Sequence, residues 1–327
     1  MKSKLHILYV LTALLLSPSL SYAYDFKVNG VFYAVVSTSD LTCVVVRGDK
    51  FFESYKSKVV IPDEVEYKGK RLKVIGISDG AFSQERVIES LTIGKNVKRI
   101  EHDAFEDCTS LKKLILEDSD ESIFIDNYYS SIEAYGEPGF ADCQLEEIYI
   151  GRPITFPSYS YMNGPIEFRP FIKCYAFKKV TYGDKVKIMD LQFGRLDFLE
   201  EVVLGKSISE ITTSYPFGQF AKNIRRVYCY NPIPPEANGP IFAGMVCVEA
   251  TLFVPKGSKE AYQSADYWSD FWDIQEIDDN TSITIPTSGI PQKDTNYLID
   301  GIQNKTGQKG INIRNGNGGK TIKVMVP

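Results

Sequence analysis

The sequence contains very little histidine and none of the common short catalytic or phosphate-binding motifs. Among its 327 residues the only histidines are His6 and His102, and the first lies in an N-terminal leader-like segment. The exported chain therefore cannot build a site with paired histidine ligands, and a serine or cysteine triad would have to use His102 alone. Gly-rich phosphate loops, HExxH and GxSxG are also missing. We interpret His102 as a surface residue of a repeat turn.

Carboxylates leave one catalytic possibility open, because a pair of acids can hydrolyse a glycoside without any local sequence signature. Asp118, Asp120 and Glu121 are close together in the sequence. We interpret them as surface charges, so the sequence predicts a protein that is not an enzyme. It also predicts no cofactor and no metal site.

Positive charge is scarce in the exported part of the chain. Removal of Lys2 and Lys4 with the leader leaves 35 basic against 42 acidic residues, a formal charge of −7. The basic residues form no cluster that could neutralise phosphates cooperatively. Nucleic acid is therefore excluded as an expected partner.

Only one long hydrophobic run occurs, and it lies at the N-terminus. The run LHILYVLTALLL follows Lys2 and Lys4 and leads to Ser21-Tyr22-Ala23, whose small residues suit signal peptidase. We predict that residues 1–23 are a cleaved signal peptide. The alternative is an uncleaved anchor, but about a dozen apolar residues fall short of the roughly 20 that a spanning helix needs. We expect a secreted or surface protein without membrane insertion, with the periplasm as another possible location.

What the sequence does contain is an internal repeat. Ala81-Phe82 and Ala104-Phe105 are 23 residues apart, and Leu91-Thr92-Ile93 precedes Leu114-Ile115-Leu116 by the same interval. Each unit has one short strand, a turn and an apolar return segment, and it cannot cover its own core alone. The units are therefore expected to stack as a solenoid with one parallel ladder. Further strands are predicted at Ile148–Ile150, Val180–Tyr182, Val202–Leu204 and Val227–Cys229, with Leu252–Val254 as the last rung, and glycine follows four strands at Gly94, Gly151, Gly183 and Gly205.

The six cysteines are even in number, which in an exported chain permits disulfides. Cys108, Cys143 and Cys174, however, occupy equivalent positions in the segments FEDCTSL, FADCQL and FIKC. We interpret these three as a buried stack of small apolar side chains. Bridges between neighbouring rungs stay possible at this point.

These motifs together resemble the BspA-like leucine-rich-repeat surface proteins of gut and oral bacteria. The shared pattern is a strand, Gly-x-x-Val-x-x-Ile, Ala-Phe and x-x-Cys-x-x-Leu. YDFKVNGVFYAVV resembles the family's N-terminal hairpin, and NPIPPEA with LFVPKGSKEAYQSADYWSDFWDIQEI resembles its last repeat and cap. The resemblance spans about residues 24–277. It implies a leucine-rich-repeat solenoid at the cell surface with an adhesion or ligand-binding role, and it supplies no catalytic residues.

The boundaries follow from composition. Residues 24–60 alternate apolar and polar, as expected of an N-terminal β cap, and the solenoid with its C-terminal cap takes 61–277. Ser258 is predicted to N-cap a helical segment. It would bury Tyr262, Trp268, Phe271 and Trp272 against the last rung. Residues 278–295 read as a linker. Residues 296–327 resemble a small C-terminal β segment of exported proteins, which is either a sorting signal or a vestigial hairpin.

The ladder itself offers a first candidate surface. Side chains alternate along a strand, so the residue before each apolar triplet and the residue at its centre are predicted to face outward. From Lys113 onward the first column alternates in sign, which favours cross-strand ion pairs over a single-sign patch. It contains Ser90, Lys113, Glu147, Lys179, Glu201 and Arg226. The central column contains Thr92, Ile115, Tyr149, Thr181, Val203 and Tyr228. If this column does not bind a ligand, its composition is that of an ordinary β-sheet surface.

Two long repeats offer a second candidate surface. The intervals from Leu116 to Ile150 and from Ile150 to Tyr182 are 34 and 32 residues, so insertions leave the solenoid there. Both are rich in tyrosine, which gives contact area at small entropic cost, although the rings could instead fold back over the solenoid. We predict recognition of a protein or glycan, the alternative being a structural module of the cell envelope without a soluble ligand. The candidate ligand-binding residues are Tyr128, Tyr129, Tyr135, Tyr149, Phe156, Tyr159, Tyr161 and Tyr228.

Overall fold

The structure is a computed structural model, and it divides into two compact units, Met1–Ser288 and Gly289–Pro327. It describes residues 24–48, 55–126, 140, 143–161, 164–167, 170–171, 173–277, 310–315 and 321–326. Within these residues no helix is long and apolar enough to cross a membrane.

The first unit begins with six strands that precede the regular repeats. Strands β1, β2 and β3 form an antiparallel meander, and β3 then pairs in parallel with β6, which also pairs with the antiparallel β5. Alternating burial along β4 and β6 matches the period of two expected for a strand with one covered face. The bounds are β1 Phe26–Val28, β2 Val31–Ser37, β3 Thr42–Val46, β4 Lys58–Ile61, β5 Glu64–Tyr67 and β6 Lys70–Ile77.

A nine-stranded parallel ladder follows the repeats and confirms the predicted solenoid. Its order is β4-β7-β9-β11-β15-β17-β19-β21-β22, and neighbouring strands keep the same register from rung to rung. Every strand that the spacing predicted is present. The bounds are β7 Ser90–Ile93, β9 Lys113–Leu116, β11 Glu147–Ile150, β15 Lys179–Tyr182, β17 Glu201–Leu204, β19 Arg226–Cys229, β21 Thr251–Val254 and β22 Asp273–Glu276.

The return segments add short strands on another side of the solenoid. β6, β8, β10 and β12 pair in parallel in that order, and β16, β18 and β20 form a separate three-stranded sheet. A hairpin, β13 with β14, leaves the second long repeat. The bounds are β8 Arg99–Ile100, β10 Ile123–Ile125, β12 Ile154–Thr155, β13 Ser158–Tyr161, β14 Gly164–Glu167, β16 Ile188–Met189, β18 Glu210–Ile211 and β20 Glu236–Ala237.

A column of phenylalanines runs through the core, one from each turn. Ring centroids of successive members lie 4.9 to 6.1 Å apart and most planes are nearly parallel, so each ring is covered by the next. A stack of this kind needs an aromatic at the same point of every repeat, which explains the recurring Ala-Phe and Phe-x-x-Cys segments. The column contains Phe82, Phe105, Phe140, Phe171, Phe193, Phe217 and Phe242.

The cysteines follow the same column and confirm the expected buried stack. All six cysteines of the chain are free and buried. The thiols of Cys108, Cys143 and Cys174 donate to the carbonyl oxygens of Phe82, Phe105 and Phe140 at 3.1, 3.4 and 3.2 Å. Each thiol therefore satisfies a backbone acceptor of the preceding turn rather than bridging to another cysteine.

The glycine after a strand is required where the preceding rungs crowd the backbone. A Cβ on Gly183 would lie against the Tyr149 hydroxyl and 2.8 Å from Asp118 Oδ1. A Cβ on Gly205 would lie 2.6 Å from the carbonyl oxygen of Gly183. Real Cβ atoms essentially never approach this closely, so a side chain there would force the rungs apart.

The C-terminal end of this unit differs from prediction in three ways. Leu252–Val254 is not the last rung, because β22 pairs with β21 beyond it. Ser258 occupies the N-cap position of a six-residue helix, Lys259–Ser264, but its hydroxyl makes no capping hydrogen bond. Tyr262, Trp268 and Phe271 are buried as predicted, whereas Trp272 is 79% exposed. We call this helix α2, and α1 is Gly244–Glu249 in the preceding repeat.

The second unit contains one described antiparallel hairpin, β23 (Gly310–Asn315) with β24 (Thr321–Val326). Both strands lie within the segment for which short strands were expected. The roles of residues 24–60 as a cap, 278–295 as a linker and 296–327 as a sorting segment stay predictions.

Candidate binding surfaces

The first outward column of the ladder carries the predicted ion pairs. Lys113 Nζ lies 2.7 Å from Glu147 Oε2. Glu201 accepts from two neighbouring rungs, with Lys179 Nζ at 2.7 Å and Arg226 Nε at 2.9 Å. The alternation of sign across a constant register makes every charge a neighbour of its opposite, so this column is not a polyanion-binding stripe.

Glu201 is the most enclosed carboxylate of this column. Its side chain is 15% exposed. Burial by itself raises the pKa of Glu201, but the hydrogen bonds from Lys179 and Arg226 outweigh it, and the net shift is downward. The carboxylate is therefore held in its charged form by its two neighbours.

The central column of the ladder was predicted to face solvent, but it does not. Thr92, Ile115, Thr181 and Val203 are at most 5% exposed. Strands in a sheet lie only about 4.8 Å apart, so large side chains on one rung cover small ones on the next. The prediction of a mildly apolar contact surface along this column was wrong for these positions.

Tyr149 shows how the central column is covered. Its ring crosses two rungs, its hydroxyl donates to Asp118 Oδ1 at 2.8 Å, and it lies over Gly183. The side chain is 5% exposed. Burial, followed by the hydrogen bond to Asp118, raises the pKa of Tyr149 above its usual range. This candidate residue is therefore committed to the ladder and offers a ligand very little surface.

The other candidate residues that the structure describes lie on different elements. Tyr228 is half-buried and stacks on Phe253 of the next rung, with ring centroids 4.7 Å apart. Phe156 is half-buried and packs against the core. Tyr159 and Tyr161 lie in β13, where only the backbone is described. Tyr128, Tyr129 and Tyr135 fall outside the described residues.

A second row of charges follows the strands and was not predicted. The second residue after successive rungs alternates in sign, and Asp63–Lys95 and Asp184–Lys206 are paired at 3.3 and 3.1 Å. The row contains Asp63, Lys95, Asp118, Arg152, Asp184 and Lys206. Two rows of alternating charge therefore border the ladder, which neutralises this side of the solenoid.

Arg152 is the buried member of that row. It is fully buried, and its guanidinium donates to the carbonyl oxygens of Ile93, Gly94, Lys95 and Val97 at 2.7 to 3.2 Å. Burial lowers the pKa of Arg152 to about 10, against the opposing effect of Glu117. The side chain fastens the turn after β7 to the rung of β11, which is a structural role.

The carboxylates considered for glycoside hydrolysis are separately engaged. Asp118 accepts from Tyr149, Asp120 pairs with Lys185 at 3.1 Å, and Glu121 lies 3.8 Å from Lys98. Asp120 and Glu121 are 79% and 73% exposed. They are surface charges, as interpreted from the sequence.

His102 lies in a repeat turn, as predicted, and it has an unexpected neighbour. Its Nε2 is 3.4 Å from Asp79 Oδ2, and potential ligand atoms of Asp79, His102 and Asp103 all lie within 4.8 Å of one another. Exposed acidic groups of this kind are common without a bound ion. We assign the group no chemistry.

The most conspicuous exposed apolar feature among the described residues is a recess on the turn side of the last repeats. Phe198, Phe220 and Met245 line it and are 61%, 71% and 57% exposed. The recess has a volume of about 660 Å³. Large exposed apolar side chains brought together in a concavity are typical of interaction sites rather than of ordinary surface.

The recess forms because one rung lacks a large side chain. Phe198 lies three residues before β17, Asn223 three before β19 and Val248 three before β21, so the three occupy equivalent positions on successive rungs. Asn223 is short, and its amide donates to the carbonyl oxygen of Asp197. The gap between Phe198 and the α1 helix therefore stays open.

Apolar exposure continues from the recess onto the C-terminal cap. Met245 and Val248, which is 40% exposed, are three residues apart on α1 and share one face of the helix. The backbone N–H of the exposed Trp272 donates to the Cys247 carbonyl oxygen, so the backbone of Trp272 lies next to α1. We call the side chains of Phe198, Phe220, Met245, Val248 and Trp272 the apolar band.

Sequence reasoning missed the apolar band for a simple reason. Phe220 and Met245 lie within a few residues of the stacking phenylalanines, and Trp272 was assigned to the buried face of the cap. The sequence did contain one signal. Phe198 occupies the repeat position that holds Ser110 and Gln144 in earlier repeats, and this position is not one of the inward-facing apolar positions.

Comparison with known proteins agrees with this repeat architecture. The family model for the BspA type leucine-rich repeat region matches six copies, over residues 48–167 and 75–215. The chain belongs to this family. The resemblance inferred from the repeat motifs is thereby confirmed, and the match to the BspA-type family indicates no catalytic family. A search of curated proteins finds no match.

Solved structures similar to this BspA-type chain include leucine-rich-repeat proteins and a vaccine antigen. A leucine-rich repeat protein from Bacteroides capillosus ATCC 29799 is 22% identical over 48% of this chain and 96% of its own, with a TM-score of 0.36. A leucine rich cell surface protein from Faecalibacterium prausnitzii A2-165 is 14% identical over 78% and 95%, with a TM-score of 0.25. The pneumococcal vaccine antigen PcpA is 11% identical over 77% and 98%, with a TM-score of 0.21.

Proposed function

We propose that this chain is an exported binding protein that recognises a protein or glycan partner at the bacterial surface, in an adhesive or recognition role. The observation that carries the proposal is the recess of Phe198, Phe220 and Met245. Leaving apolar area of this kind in water costs about 25 cal/mol for each Å². Such a cost is recovered when a partner covers the surface.

The rest of the described solenoid supports a binding role rather than a catalytic one. The ladder is neutralised by its two rows of paired charges, the carboxylates near β10 are occupied with separate partners, and the single histidine is paired with Asp79. The nine-stranded ladder and the phenylalanine column give a rigid frame. A rigid frame with a fixed apolar recess binds at low entropic cost.

The two tyrosine-rich insertions stay a second candidate surface for the same function. Their residues Tyr128, Tyr129, Tyr159 and Tyr161 are the ones to change. If all four are replaced by alanine and every ligand of the parent binds equally well, the loops have no part in recognition.

The proposal is tested by a binding screen of the full exported chain. Immobilised protein is presented with glycan arrays and with purified host matrix proteins, and hits are measured by surface plasmon resonance. The proposal expects at least one saturable ligand. A screen without any saturable ligand would favour the competing class, a structural module of the cell envelope.

A further inference from the structure

We propose that the recess of Phe198, Phe220 and Met245 binds an acidic, aromatic-containing segment of a partner protein. This inference rests on the proposed binding function and names the chemistry of its ligand. It follows from the size of the recess, its few hydrogen-bonding groups and the charge of its rim.

The size favours a ligand larger than a single small side chain. The recess is about 660 Å³, within the roughly 300–1,000 Å³ of sites that hold a whole small ligand. A segment with two or more large apolar side chains fills it better than one inserted residue. Aromatic side chains are the natural occupants, because they bring large area with few rotatable bonds and stack on exposed phenylalanines.

The lining favours a protein segment over a sugar. The neutral polar side chains of the recess are Gln219 and Asn223. The side-chain amide of Asn223 already donates a hydrogen bond to the carbonyl oxygen of Asp197. A saccharide brings many hydroxyl groups that must find hydrogen-bond partners when they leave water, and each one left without a partner weakens binding. Apart from Gln219, hydrogen bonds would have to come from the charged rim, where Arg195 and Asp197 are already paired with each other and Lys222 is a single donor group.

The rim decides the charge of the segment. Arg195, Asp197 and Lys222 border the recess, which leaves one positive charge in excess. Arg195 Nε is paired with Asp197 at 2.7 Å, whereas Lys222 forms no ion pair within the part of the chain that the structure describes. In a chain of net charge −5 this is a local positive edge beside apolar surface. Acidic side chains flanking the aromatics of the partner would complement it.

The same charge argues against a lipid surface as the occupant. Anionic membranes attract segments in which several basic residues are clustered. Among the described residues that line the recess, Lys222 is the one basic side chain without an ion pair. The apolar side chains also line a concavity, which suits a protruding segment better than a flat bilayer.

Three synthetic peptides of about 12 residues test the inference directly. The first alternates glutamate with phenylalanine, the second alternates lysine with phenylalanine, and the third alternates glutamate with serine. Each carries a fluorophore, and its affinity for the full exported chain is measured by fluorescence anisotropy. We expect the first peptide to bind about tenfold or more tightly than either of the others, and its affinity to fall as salt rises.

Variants locate the binding. Phe198→Ser together with Phe220→Ser should weaken the first peptide by about tenfold or more, and both side chains are exposed enough for the fold to be kept. Val87→Ser is the matched control, because Val87 is exposed and occupies the position of Phe198 in an earlier repeat. Lys222→Glu should weaken the glutamate–phenylalanine peptide and strengthen the lysine–phenylalanine one.

Several results would overturn the inference. One is equal binding of the acidic and basic aromatic peptides, and another is no effect of the double serine variant. Glycan binding that the double variant abolishes would assign the recess to a sugar. Concentration-dependent self-association in light scattering, abolished by the same variant, would assign it to a second copy of the chain.

The outcome can be separated from that of the proposed function. A protein ligand from the screen that binds the double serine variant with full affinity leaves the function standing and removes the recess from it. If the peptide binds at the recess but the screen finds no ligand for the chain, the inference about the recess stands and the proposed function does not.

Discussion

Glu201 shows how single residues hold the ladder together. Its lowered pKa means that the ion pairs to Lys179 and Arg226 stabilise the fold above the unfolded pKa of a glutamate, about 4.3, and are lost as pH falls through the folded value. Glu201→Gln should therefore lower the free energy of unfolding at neutral pH by about 1–2 kcal/mol. Urea denaturation at pH 7 and pH 3 measures it, and the difference should shrink at the acidic value.

Glu147→Gln is the control for this prediction. Its carboxylate is 49% exposed and pairs with Lys113 alone. The loss should stay below about 1 kcal/mol, because exposed pairs contribute little. Equal losses for the two variants would show that the enclosure of Glu201 has no energetic consequence.

Gly183 tests the close approach of neighbouring rungs. Gly183→Ala places a Cβ against the Tyr149 hydroxyl and should destabilise the protein by about 1–3 kcal/mol. Tyr149→Phe removes that oxygen but leaves the ring carbon Cζ 2.8 Å from the new Cβ, so the double variant should be partly relieved and less destabilised than the two single changes added together. Gly244→Ala, which meets nothing within 4 Å, is the neutral comparison. Additive effects in thermal melts would contradict the proposed clash.

At the scale of elements, Phe217 and Phe220 are only three residues apart, yet the first belongs to the core and the second to the recess. Phe217 lies in the column between Phe193 and Phe242, with centroids 6.1 and 5.6 Å away, and is 1% exposed. Phe217→Ala should lower the free energy of unfolding by about 3–5 kcal/mol. Phe220→Ala, at a 71% exposed position, should change it by less than about 0.5 kcal/mol. Denaturant titration of both variants measures these changes. Similar losses of unfolding free energy in the two variants would contradict the assignment of Phe220 to an open surface.

The repeating elements were predictable because their signals recur. Strand spacing, the glycine after a strand and the alternating charges all follow from one constant register, so the ladder and the ion pairs of Lys113 and Glu201 could be inferred. β22 was missed because Asp273–Glu276 contains a single apolar residue. Its pairing is imposed by the rung before it and not by its own composition.

The candidate surfaces were less predictable because exposure depends on neighbours in space. Tyr149 alternates outward as expected, yet its hydroxyl bonds to Asp118 and its ring lies over Gly183. Phe198 has the same residue type as the stacked phenylalanines and differs only in where its turn places it. Periodicity assigns a face to a residue but does not say what covers that face.

At the scale of the whole molecule, the free thiols predict that the stability of the fold does not depend on redox conditions. Burial raises the pKa of Cys229 and Cys247 to about 11 and that of Cys43 to about 12, so these thiols are poor nucleophiles in the folded protein. A thiol reagent should label none of the six cysteines in the native chain and all six after denaturation. The melting temperature should not change with a reducing agent. A lower melting temperature under reduction would indicate a disulfide.

The central claim for the whole molecule is that a rigid repeat frame presents one apolar recess to a partner protein. The most direct measurement is the affinity of the glutamate–phenylalanine peptide for three forms of the full exported chain: the parent, the Phe198→Ser and Phe220→Ser double variant, and Val87→Ser. The account predicts equal affinity for the parent and Val87→Ser, and a loss of about tenfold or more in the double variant. The same affinity for all three forms would contradict it.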